Sequence, residues 1–562
     1  MQIVVNTLAG VAFAILALSA WSVAGYVLAG IVLVVVVWRT WGGLASTNVA
    51  QIAVAAGLLG HYRHVRPHAT VALGLAGGFL VAMLVVIPAL AARVSAAGID
   101  ADNLPGYRPD RHLSRRIVHL DVGVIGMITL TGVFTIGSWS PWPIVAVGAL
   151  LSLFAGVLWR RAMLHVNGGA RRGDAVGTAL QRYDPAFALY FSAPDDTEYH
   201  VEMWAPYLDR IGKRWVIITR EPRSFTVLSA SMGPAVPVVY CPSAADLETA
   251  VTPGMHAVFY VNNGALNADM VSRQRLTHIQ LLHGDSDKAS SYNPVTVIFD
   301  RIFVAGQAGI DRYADNGVHI PRAQFDIVGR PQVESIDVAD GPIREVTDKV
   351  VLYASTWIGA FNDTNYCSLP VGDIILTGLL ARGVTVILRP HPYAERHLST
   401  ARRLRLLEGI LAADRARTGR RHIFGAGATT DRSFVDCINA ADALISDVSG
   451  VLSDALYSNK PLAVTNMTPT PAGDFEEAFP LAKTAYVING DASNIDAVLD
   501  ELLGDDPHRQ DRRQARIHFL GDFDADNYAD AFVSTARSFT EGPLTEVVAP
   551  PSGYPPQRPS SR

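Results

Sequence analysis

Cysteine is scarce in this chain, with 3 residues among 562. Cys241, Cys367 and Cys437 are widely spaced along the sequence. This spacing excludes both a disulfide framework and a CxxC metal site. We therefore expect the part of the protein that contains them to lie in the reducing cytoplasm.

Charge is scarce as well, but only in one region. Residues 1–92 contain no Asp, Glu or Lys, whereas the whole chain has 47 Lys and Arg against 52 Asp and Glu, a net charge of −5. So small a net charge does not suggest a general polyanion-binding surface, and nucleic acid is not an expected partner. Hydrophobic residues make up 49% of the chain and the mean hydropathy is +0.21. Because the apolar residues crowd into the first 160 positions, that part is predicted to be a membrane region.

Several apolar segments in residues 1–165 have the length of membrane-spanning helices. Ile3 to Val37 exceeds the roughly 20 residues that cross a bilayer once, so it fits either two short spans that turn near Ser19 to Gly25 or one long tilted helix. No basic region precedes it, which favours a retained segment over a cleaved signal peptide. We predict five or six transmembrane helices in residues 1–165, with the further segments Thr47 to Gly60, Ala69 to Ala92, Ile117 to Ile136 and Trp142 to Trp159.

The arginines predict the orientation of this region, because cytoplasmic loops are enriched in Lys and Arg. The connection from Gly137 to Pro141 carries no charge, whereas arginines flank the loop before it and follow the last span; they are Arg93, Arg108, Arg111, Arg115, Arg116, Arg160, Arg161, Arg171 and Arg172. This pattern predicts a multi-pass plasma-membrane protein whose C-terminal half is cytoplasmic. His119 and Asp121 form either an intramembrane site or, as we favour, a polar helix end at the headgroups.

From about Tyr183 the sequence alternates short β-branched runs with helical stretches, which is typical of βαβ units around parallel sheets. The first series of candidate strands is Ala186 to Ser192, Trp215 to Thr219, Val236 to Tyr240, Ala257 to Val261, Ile279 to Leu282 and Arg301 to Val304. The second is Val350 to Ala354, Thr385 to Arg389, His422 to Phe424, Ala443 to Ser446 and Pro461 to Thr465. Two series predict two Rossmann-like, doubly wound α/β domains, at residues 183–335 and 345–540. Residues 541–562, rich in Pro and Ser, are predicted to be a disordered tail.

A first candidate site is the segment HGDSDK, in which His283 follows an apolar strand directly. An imidazole with an ordinary pKa of about 6.5 can act as a general base near neutral pH. Gly284 permits close approach of a ligand, and Lys288 offers a cation to phosphate. A strand-end histidine held by backbone contacts is an equally good interpretation of this segment alone.

A second candidate is RPHP, which again follows a strand. The prolines on both sides of His391 restrict the backbone, so the imidazole lies on a stiff loop. Arg389 adds a permanent positive charge suited to phosphate oxygens. An ordinary turn is the alternative, and His397, in a following helix, is expected at the surface.

A third candidate is the segment LISDVSG, an apolar strand that ends in small polar residues before a helix. Free N–H groups at a helix N-terminus favour phosphate, and Ser446, Ser449 and Gly450 leave room for it. Ordinary helix capping explains the same residues equally well. Three such strand ends in one protein favour a ligand cleft at the carboxyl edges of the sheets.

These motifs together resemble the CDP-glycerol glycerophosphotransferase family. The resemblance lies in HGDSDK, in LYASTWIG at Leu352 to Gly359, in RPHP at Arg389 to Pro392, and in LISDVSGVLSDALYSNKP at Leu444 to Pro461. It covers approximately Tyr183 to Phe539 and does not reach the membrane region. The family includes teichoic acid primases and polymerases with two Rossmann-like domains in the GT-B arrangement, and we expect that fold here.

The resemblance also implies roles for individual residues. It makes His283 the catalytic base and lets His391 engage the donor phosphates. Donor and phosphate binding would fall to Lys288, Thr356, Trp357, Arg389, Ser446, Asp447, Ser449, Gly450, Asp454 and Lys460. One departure concerns the residue after His-Gly, usually a neutral Thr in the family, which is Asp285 here, with Asp287 close by. Two carboxylates near His283 are able to raise its pKa or to repel a pyrophosphate.

The implied activity is transfer of a polyol phosphate, glycerol phosphate above all, from a CDP-activated donor to a hydroxyl of a lipid-linked or cell-envelope glycan, with release of CMP. No cofactor is required by this chemistry and no metal site is predicted, although Asp285 and Asp287 are able to recruit Mg²⁺. Two alternatives remain at this point. One is a GT-B glycosyltransferase or epimerase for nucleotide sugars, and the other is a catalytically inactive scaffold for wall-polymer assembly.

Overall fold

The computed structural model describes residues 2–18, 22–41, 48–109, 112–194, 196–359 and 365–541. Within them the chain forms two compact units. The first comprises residues 2–183, 192–198 and 216–252, and the second comprises residues 184–191, 199–215 and 253–541. The predicted boundaries at 183–335 and 345–540 stay a prediction. The predicted tail after residue 541, the centre of the predicted turn at 19–21, and Arg111 lie outside the described residues.

The N-terminal region is helical, because a helix satisfies every backbone hydrogen bond within one apolar segment. The helices are α1 (Gln2–Leu18), α2 (Ser22–Trp41), α3 (Asn48–Val65), α4 (Thr70–Ser95), α5 (His112–Ile136), α6 (Trp142–Asn167) and α7 (Gly169–Tyr183). The described residues of the long apolar run at the start of the chain lie in α1 and α2.

Three helical segments of the described residues are long and apolar enough to cross a membrane, namely Pro67–Ser95, Arg116–Ile136 and Trp142–Asn167. Shorter apolar helices occupy Asn6–Leu16 and Ala24–Val36. Membrane association is thus supported by three helices, whereas the predicted number of five or six spans and the predicted sidedness stay predictions.

Small residues bring these helices close together. A Cβ atom added at Gly57 in α3 would lie 3.0 Å from the Cα atom of Phe13 in α1, so only glycine fits there without a shift of the backbone. Asp121 in α5 is buried, with Gln51 Nε2 3.5 Å from its Oδ1 atom. Close packing through small residues is typical of helices in membranes.

The strands of the described residues alternate with helices along the chain. They are β1 (Asp100–Asp102), β2 (Phe187–Phe191), β3 (Trp215–Thr219), β4 (Val238–Tyr240), β5 (Ala257–Tyr260), β6 (Thr277–Gln280), β7 (Arg301–Val304), β8 (Phe325–Ile327), β9 (Val350–Ala354), β10 (Thr385–Leu388), β11 (Ala443–Asp447), β12 (Leu462–Thr465) and β13 (Tyr486–Ile488). In the first unit, β4 pairs with β3 in parallel and with β1 antiparallel.

The second unit contains two groups of parallel strands. One has the order β2-β5-β6-β7-β8, and the other is a separate sheet with the order β10-β9-β11-β12-β13. The strands are almost wholly buried, as expected when helices cover both faces of a parallel sheet. The predicted parallel α/β class is confirmed.

The second sheet shows why the sequence folds in this way. In β9, Leu352 belongs to the apolar core on one face, whereas Val351 and Tyr353 belong to the core on the other. In β11, Leu444 and Ile445 divide between the two cores in the same manner. Side chains that alternate between two buried faces require apolar residues at every position, which is what the sequence supplies.

The remaining helices connect and cover these strands. They are α8 (Tyr199–Glu202), α9 (Ala205–Asp209), α10 (Pro222–Ser231), α11 (Asp246–Ala250), α12 (Asn267–Val271), α13 (Gln307–Asp315), α14 (Gly372–Ala381), α15 (Leu398–Thr418), α16 (Ala426–Thr429), α17 (Phe434–Asn439), α18 (Gly450–Ala455), α19 (Ala472–Ala478), α20 (Ile495–Leu502), α21 (Arg509–Leu520) and α22 (Asp530–Ser538). The predicted strand His422 to Phe424 is wrong, because it forms only an isolated bridge between Ile423 and Ile387.

Candidate active site

The order of the strands brings the predicted motifs to shared edges. Strands β2, β5 and β6 are neighbours, so the segments that follow them begin at one carboxyl edge. Strands β10, β9 and β11 are neighbours as well, so the segments after Leu388, Ala354 and Asp447 begin together at the carboxyl edge of the second sheet. Ligands of open α/β sheets bind at such edges.

His283 lies shortly beyond the end of β6, on a turn with an unusual backbone. Leu282 has a φ of 54°, in the left-handed region that residues with side chains rarely adopt. Two side chains hold this turn, because the Trp204 indole donates to the Leu282 carbonyl at 2.7 Å and the Leu282 N–H donates to Gln280 Oε1 at 3.0 Å. A held turn of this kind is typical of functional sites.

The ring of His283 is oriented by a backbone carbonyl. Its Nδ1 lies 3.2 Å from the carbonyl oxygen of Val261, and because that oxygen only accepts, Nδ1 must carry the proton. Burial, with a smaller contribution from the positive charge of Arg330, lowers the pKa of His283 to about 4. His283 is therefore neutral at physiological pH, with the lone pair on Nε2.

In His391 the Nδ1 atom is a hydrogen-bond acceptor, the opposite of its role in His283. Its Nδ1 accepts the backbone N–H of Tyr393 at 3.1 Å, so the neutral ring carries its proton on Nε2. The His391 N–H donates to the Ser355 carbonyl at 2.9 Å, which fixes the loop against the segment after β9. Burial, followed by the positive charges of Lys288 and Arg396, lowers the pKa of His391 to about 4.

The two predicted histidines thus form a complementary pair. At neutral pH the Nε2 atom of His283 carries a lone pair that is able to accept a proton, whereas the Nε2 atom of His391 carries a proton that is able to form a hydrogen bond. Positive charge on His283 also lowers the pKa of His391. A proton acceptor and a donor from two different sheets suit a reaction in which a hydroxyl loses a proton while negative charge develops on another group.

A third imidazole, which the sequence analysis missed, adjoins this pair. His200 in α8 stacks on His283 with the ring centroids 3.7 Å apart and the ring planes 8° apart. Burial, followed by the positive charges of His283 and His391, lowers the pKa of His200 to about 2. The available signal was its position in a polar segment after β2, the neighbour of β5, but no recognisable motif surrounds it.

Lys288 reaches from the segment after β6 to the second sheet. Its Nζ lies 3.4 Å from Thr356 Oγ1 and 5.4 Å from the centre of the Tyr366 ring. Burial lowers the pKa of Lys288, and the nearby carboxylate of Asp447 opposes that shift. The structure therefore brings together Lys288 and Thr356, both predicted to bind phosphate.

Aromatic side chains surround His391. The Trp357 ring centroid lies 6.3 Å from that of His391 and 5.4 Å from that of Tyr393. The Arg396 guanidinium carbon lies 3.5 Å from the centre of the Tyr393 ring, and this exposed arginine was not predicted. Trp357 thus lies beside His391, and its predicted role at the donor stays a prediction.

The two aspartates after His283 do not act on its ring in the expected way. Arg312 Nη1 donates to Asp285 Oδ1 at 2.5 Å and Arg312 Nε donates to Asp287 Oδ1 at 3.1 Å. Asp287 Oδ2 also accepts the Leu481 N–H at 3.3 Å. Arg312 thus compensates both carboxylates. The pKa of His283 is lowered by burial and by Arg330, and is not raised by these aspartates. Among the described residues no cluster of His, Cys, Asp and Glu is arranged to hold a metal ion.

Asp447 is a buried hydrogen-bond acceptor for the segments around the site. It is completely buried, where its Oδ2 accepts the Thr356 N–H at 2.7 Å and the Ser368 N–H at 3.2 Å, while its Oδ1 accepts the Thr465 hydroxyl at 2.6 Å. Burial raises the pKa of this carboxyl group, and the hydrogen bonds oppose that shift. Asp447 thereby fixes the segment that presents Thr356.

The start of α18 faces the HGD turn. A Cβ atom added at Gly450 would lie 3.6 Å from the Asp285 carbonyl oxygen and 3.8 Å from the Gly284 Cα atom. The hydroxyl oxygens of Ser446 and Ser449 are 3.4 Å apart. Ser449 and Gly450 therefore lie beside the segment that carries His283, and α18, with six residues, is a short helix.

Three predicted donor residues bond elsewhere. Arg389 Nη1 donates to the backbone carbonyls of Ala428 and Arg432, the second at 2.9 Å. Asp454 accepts from Arg330 Nε at 2.8 Å, in a pair that is almost fully buried. Lys460 Nζ donates to a backbone carbonyl in α17 at 2.8 Å. These contacts hold the three side chains against the fold around the site, and their predicted role in donor binding stays a prediction.

No family model and no curated protein matches the chain. Among solved structures, the wall teichoic acid polymerase TagF is similar with a TM-score of 0.40 and 13% identity, over 68% of this chain and 97% of that one. A glycosyltransferase from Rickettsia africae ESF-5 has a TM-score of 0.39 and 11% identity, over 64% of this chain and 99% of that one. Likeness at this level does not assign the chain to a family.

Proposed function

We propose that the protein is a membrane-associated transferase that moves a polyol phosphate, glycerol phosphate in the first place, from a CDP-linked donor to a hydroxyl of a lipid-linked or cell-envelope glycan. The observation that carries this proposal is the opposite proton placement of His283 and His391. Hydroxyl attack on a diphosphate needs one group that takes a proton and another that stabilises the departing phosphate.

In the proposed reaction, His283 Nε2 takes the proton of the acceptor hydroxyl. The hydroxyl oxygen attacks the distal phosphorus of the donor and forms a new phosphodiester bond, while the bond from that phosphorus to the CMP oxygen breaks. CMP leaves with the electron pair of the broken bond, and His283 then releases its proton to solvent.

The remaining charges suit the phosphates. His391 donates from Nε2 to a phosphoryl oxygen, and the Lys288 ammonium supplies a compact cation that is held on Thr356 at 3.4 Å. Burial strengthens both interactions because the local dielectric constant is low. Trp357 and Tyr393 offer flat rings for the nucleoside or polyol.

The experiment that tests the donor uses the full-length protein in lipid nanodiscs with membrane-extracted acceptor. CDP-glycerol, CDP-ribitol and UDP-N-acetylglucosamine are supplied separately, and release of CMP or UDP is measured. We expect CMP from a CDP-polyol and no UDP. Release of UDP alone would reject the polyol phosphate transfer and favour a nucleotide-sugar enzyme.

A variant series tests the two histidines. His283→Ala and His391→Ala are each expected to lower the rate by about 10²–10⁴-fold, because each removes a proton-transfer or charge-stabilising group. His397→Ala is the matched control, since this exposed histidine lies six positions after His391. Variants of both histidines that still support polymer modification in cells would instead favour a catalytically inactive scaffold.

A further inference from the structure

His200 and His283 form a stacked pair that the reaction described above does not use. Their ring centroids are 3.7 Å apart with an 8° angle between the planes, and the exposed fraction of His200 is 6%. Neither ring nitrogen of His200 has a hydrogen-bond partner among the described residues. The contact with His283 is therefore made by the face of the ring and not by a hydrogen bond.

We propose that His200 is a positioning residue, whose ring face fixes the ring of His283 in the plane from which Nε2 meets the acceptor hydroxyl. This inference rests on the proposed function. The hydrogen bond from Nδ1 to the Val261 carbonyl anchors one edge of the His283 ring at 3.2 Å, but a single bond leaves the ring free to tilt about it. A parallel ring against its face removes that freedom.

The stack also suits the charge that appears during the reaction. When His283 takes the hydroxyl proton it becomes a cation, and the π-face of a neutral aromatic ring attracts a cation at this distance. His200 remains neutral at that moment, because burial and the charges of His283 and His391 hold its pKa at about 2. The pair therefore accepts one proton, on His283.

Other titratable or charged groups face the pair from several elements. Arg330 Nη2 lies 3.4 Å from the His283 carbonyl oxygen and disfavours a charged His283. The Tyr199 ring centroid lies 4.3 Å from that of His200. His391, which follows a strand of the second sheet, lowers the pKa of His200 through its positive charge. These groups stay in place when His200 is changed, so a change in His283 reports on the stack.

Two substitutions separate the ring face from the ring nitrogens. His200→Ala removes the stack, and we expect kcat to fall by about 10–100-fold, since a small misplacement of a catalytic group costs that much. His200→Phe keeps a flat ring of similar size without nitrogens, and we expect it to retain most of the wild-type kcat. His397→Ala serves as the control histidine, and thermal melting of each variant confirms folding.

A second measurement needs no turnover. Diethyl pyrocarbonate modifies only neutral imidazoles, so the rate at which the His283 peptide is modified, followed by mass spectrometry over a pH series, reports the pKa of that ring. In the wild type and in His200→Phe we expect a midpoint near pH 4. In His200→Ala, where water reaches the ring, we expect the midpoint to move up toward about 6.5.

The inference is overturned if His200→Ala matches the wild type in both measurements. It is also overturned if His200→Phe loses as much activity as His200→Ala, because the ring nitrogens would then be the working part. A protein that turns over no CDP-polyol rejects the proposed function, whereas the modification midpoints still decide whether the ring of His200 controls the environment of His283.

Discussion

At the scale of single residues, the main feature of the site is which ring nitrogen of each histidine carries the proton. The three histidines of the candidate site share the same ordinary pKa, and the fold distinguishes them by one neighbour each. A carbonyl oxygen meets Nδ1 of His283, a backbone N–H meets Nδ1 of His391, and the ring face of His283 meets His200. Two of the three therefore act at neutral pH as opposite partners in hydrogen bonding.

The pH dependence of the rate follows from these pKa values. Both His283 and His391 have pKa values of about 4, below the ordinary value of about 6.5, so both remain neutral as the pH falls from 8 to 5. We expect kcat/KM to be constant over that range and to decline only as the pH approaches 4. A fall in kcat/KM centred near pH 6.5 would contradict this assignment.

The same shifts affect stability, with a sign that can be stated. Because the folded pKa values lie below those of the unfolded chain, the unfolded state binds more protons between about pH 4 and 6.5. The free energy of unfolding therefore falls as the pH decreases through that window.

Arg312 is expected to be the most sensitive charged residue near the site. It is nearly buried and compensates both Asp285 and Asp287. Arg312→Met would leave two carboxylates without their cation, and we expect a loss of about 3–5 kcal/mol in the free energy of unfolding. Urea denaturation followed by tryptophan fluorescence measures it.

The matched control for this change is Arg382→Met. That arginine also bridges two aspartates, Asp496 and Asp500, but these are largely exposed. Surface pairs contribute about 0–1 kcal/mol, so the control variant should be close to the wild type. Equal losses in the free energy of unfolding would show that burial does not increase the contribution of the Arg312 ion pairs to stability.

At the scale of elements, prediction from the sequence succeeded where the chain was continuously apolar. The strands at Trp215–Thr219, Arg301–Val304 and Val350–Ala354 have the predicted bounds. Strand β1, with the sequence Asp-Ala-Asp, was not predicted because its side chains show no apolar pattern. It forms a strand through its antiparallel pairing with β4. Strands β8 and β13 were missed as well, since three residues give too short a pattern.

The candidate site was predictable to the extent that each motif begins in a strand or shortly after one. Lys288 lies beside Thr356 and Trp357 lies beside His391, and their predicted roles stay predictions. The contacts of Arg389, Asp454 and Lys460 were not predictable, because their partners, backbone carbonyls and Arg330, are distant in sequence. His200 was not predictable, because a stacking contact leaves no spacing signal in the chain.

The packing of α13 provides a test at this scale. Gly306 precedes this helix, and a Cβ atom added there would lie 2.4 Å from the His518 carbonyl oxygen and 2.6 Å from the Phe519 carbonyl carbon in α21. Gly306→Ala therefore pushes the start of α13 away from the backbone of α21, and we expect a loss of about 1–3 kcal/mol in the free energy of unfolding.

Gly409→Ala is the control for that variant. Gly409 lies inside α15, where an added Cβ meets nothing within 4 Å, so the change should stabilise the helix by about 0.5–1 kcal/mol. Thermal melting measures both. A Gly306→Ala protein as stable as the wild type would mean that α13 and α21 are not packed as closely as described.

At the scale of the whole molecule, the chain combines an apolar helical region with parallel α/β sheets. In the proposed reaction the CDP-linked donor is soluble and the lipid-linked acceptor is held at the bilayer, so membrane attachment would raise the local concentration of the acceptor. The sequence predicted a membrane region from composition alone. The number of spans was less predictable, because short apolar helices fit either a bilayer or a protein core.

Membrane attachment can be tested on the intact chain. With three helices long and apolar enough to span a bilayer, the protein should stay in the membrane pellet after extraction at alkaline pH with carbonate and leave it only with detergent. Release by carbonate alone would contradict a transmembrane attachment. Reporter fusions at the C-terminus test the predicted cytoplasmic side.

The most direct test of the account is a structure of the full-length protein with bound CDP-glycerol. We predict that the diphosphate lies within hydrogen-bond distance of His391 Nε2 and near the Lys288 ammonium, with the distal phosphorus accessible from His283 Nε2. A donor bound away from both imidazoles, or one that meets His391 while His283 faces only protein, would contradict the account.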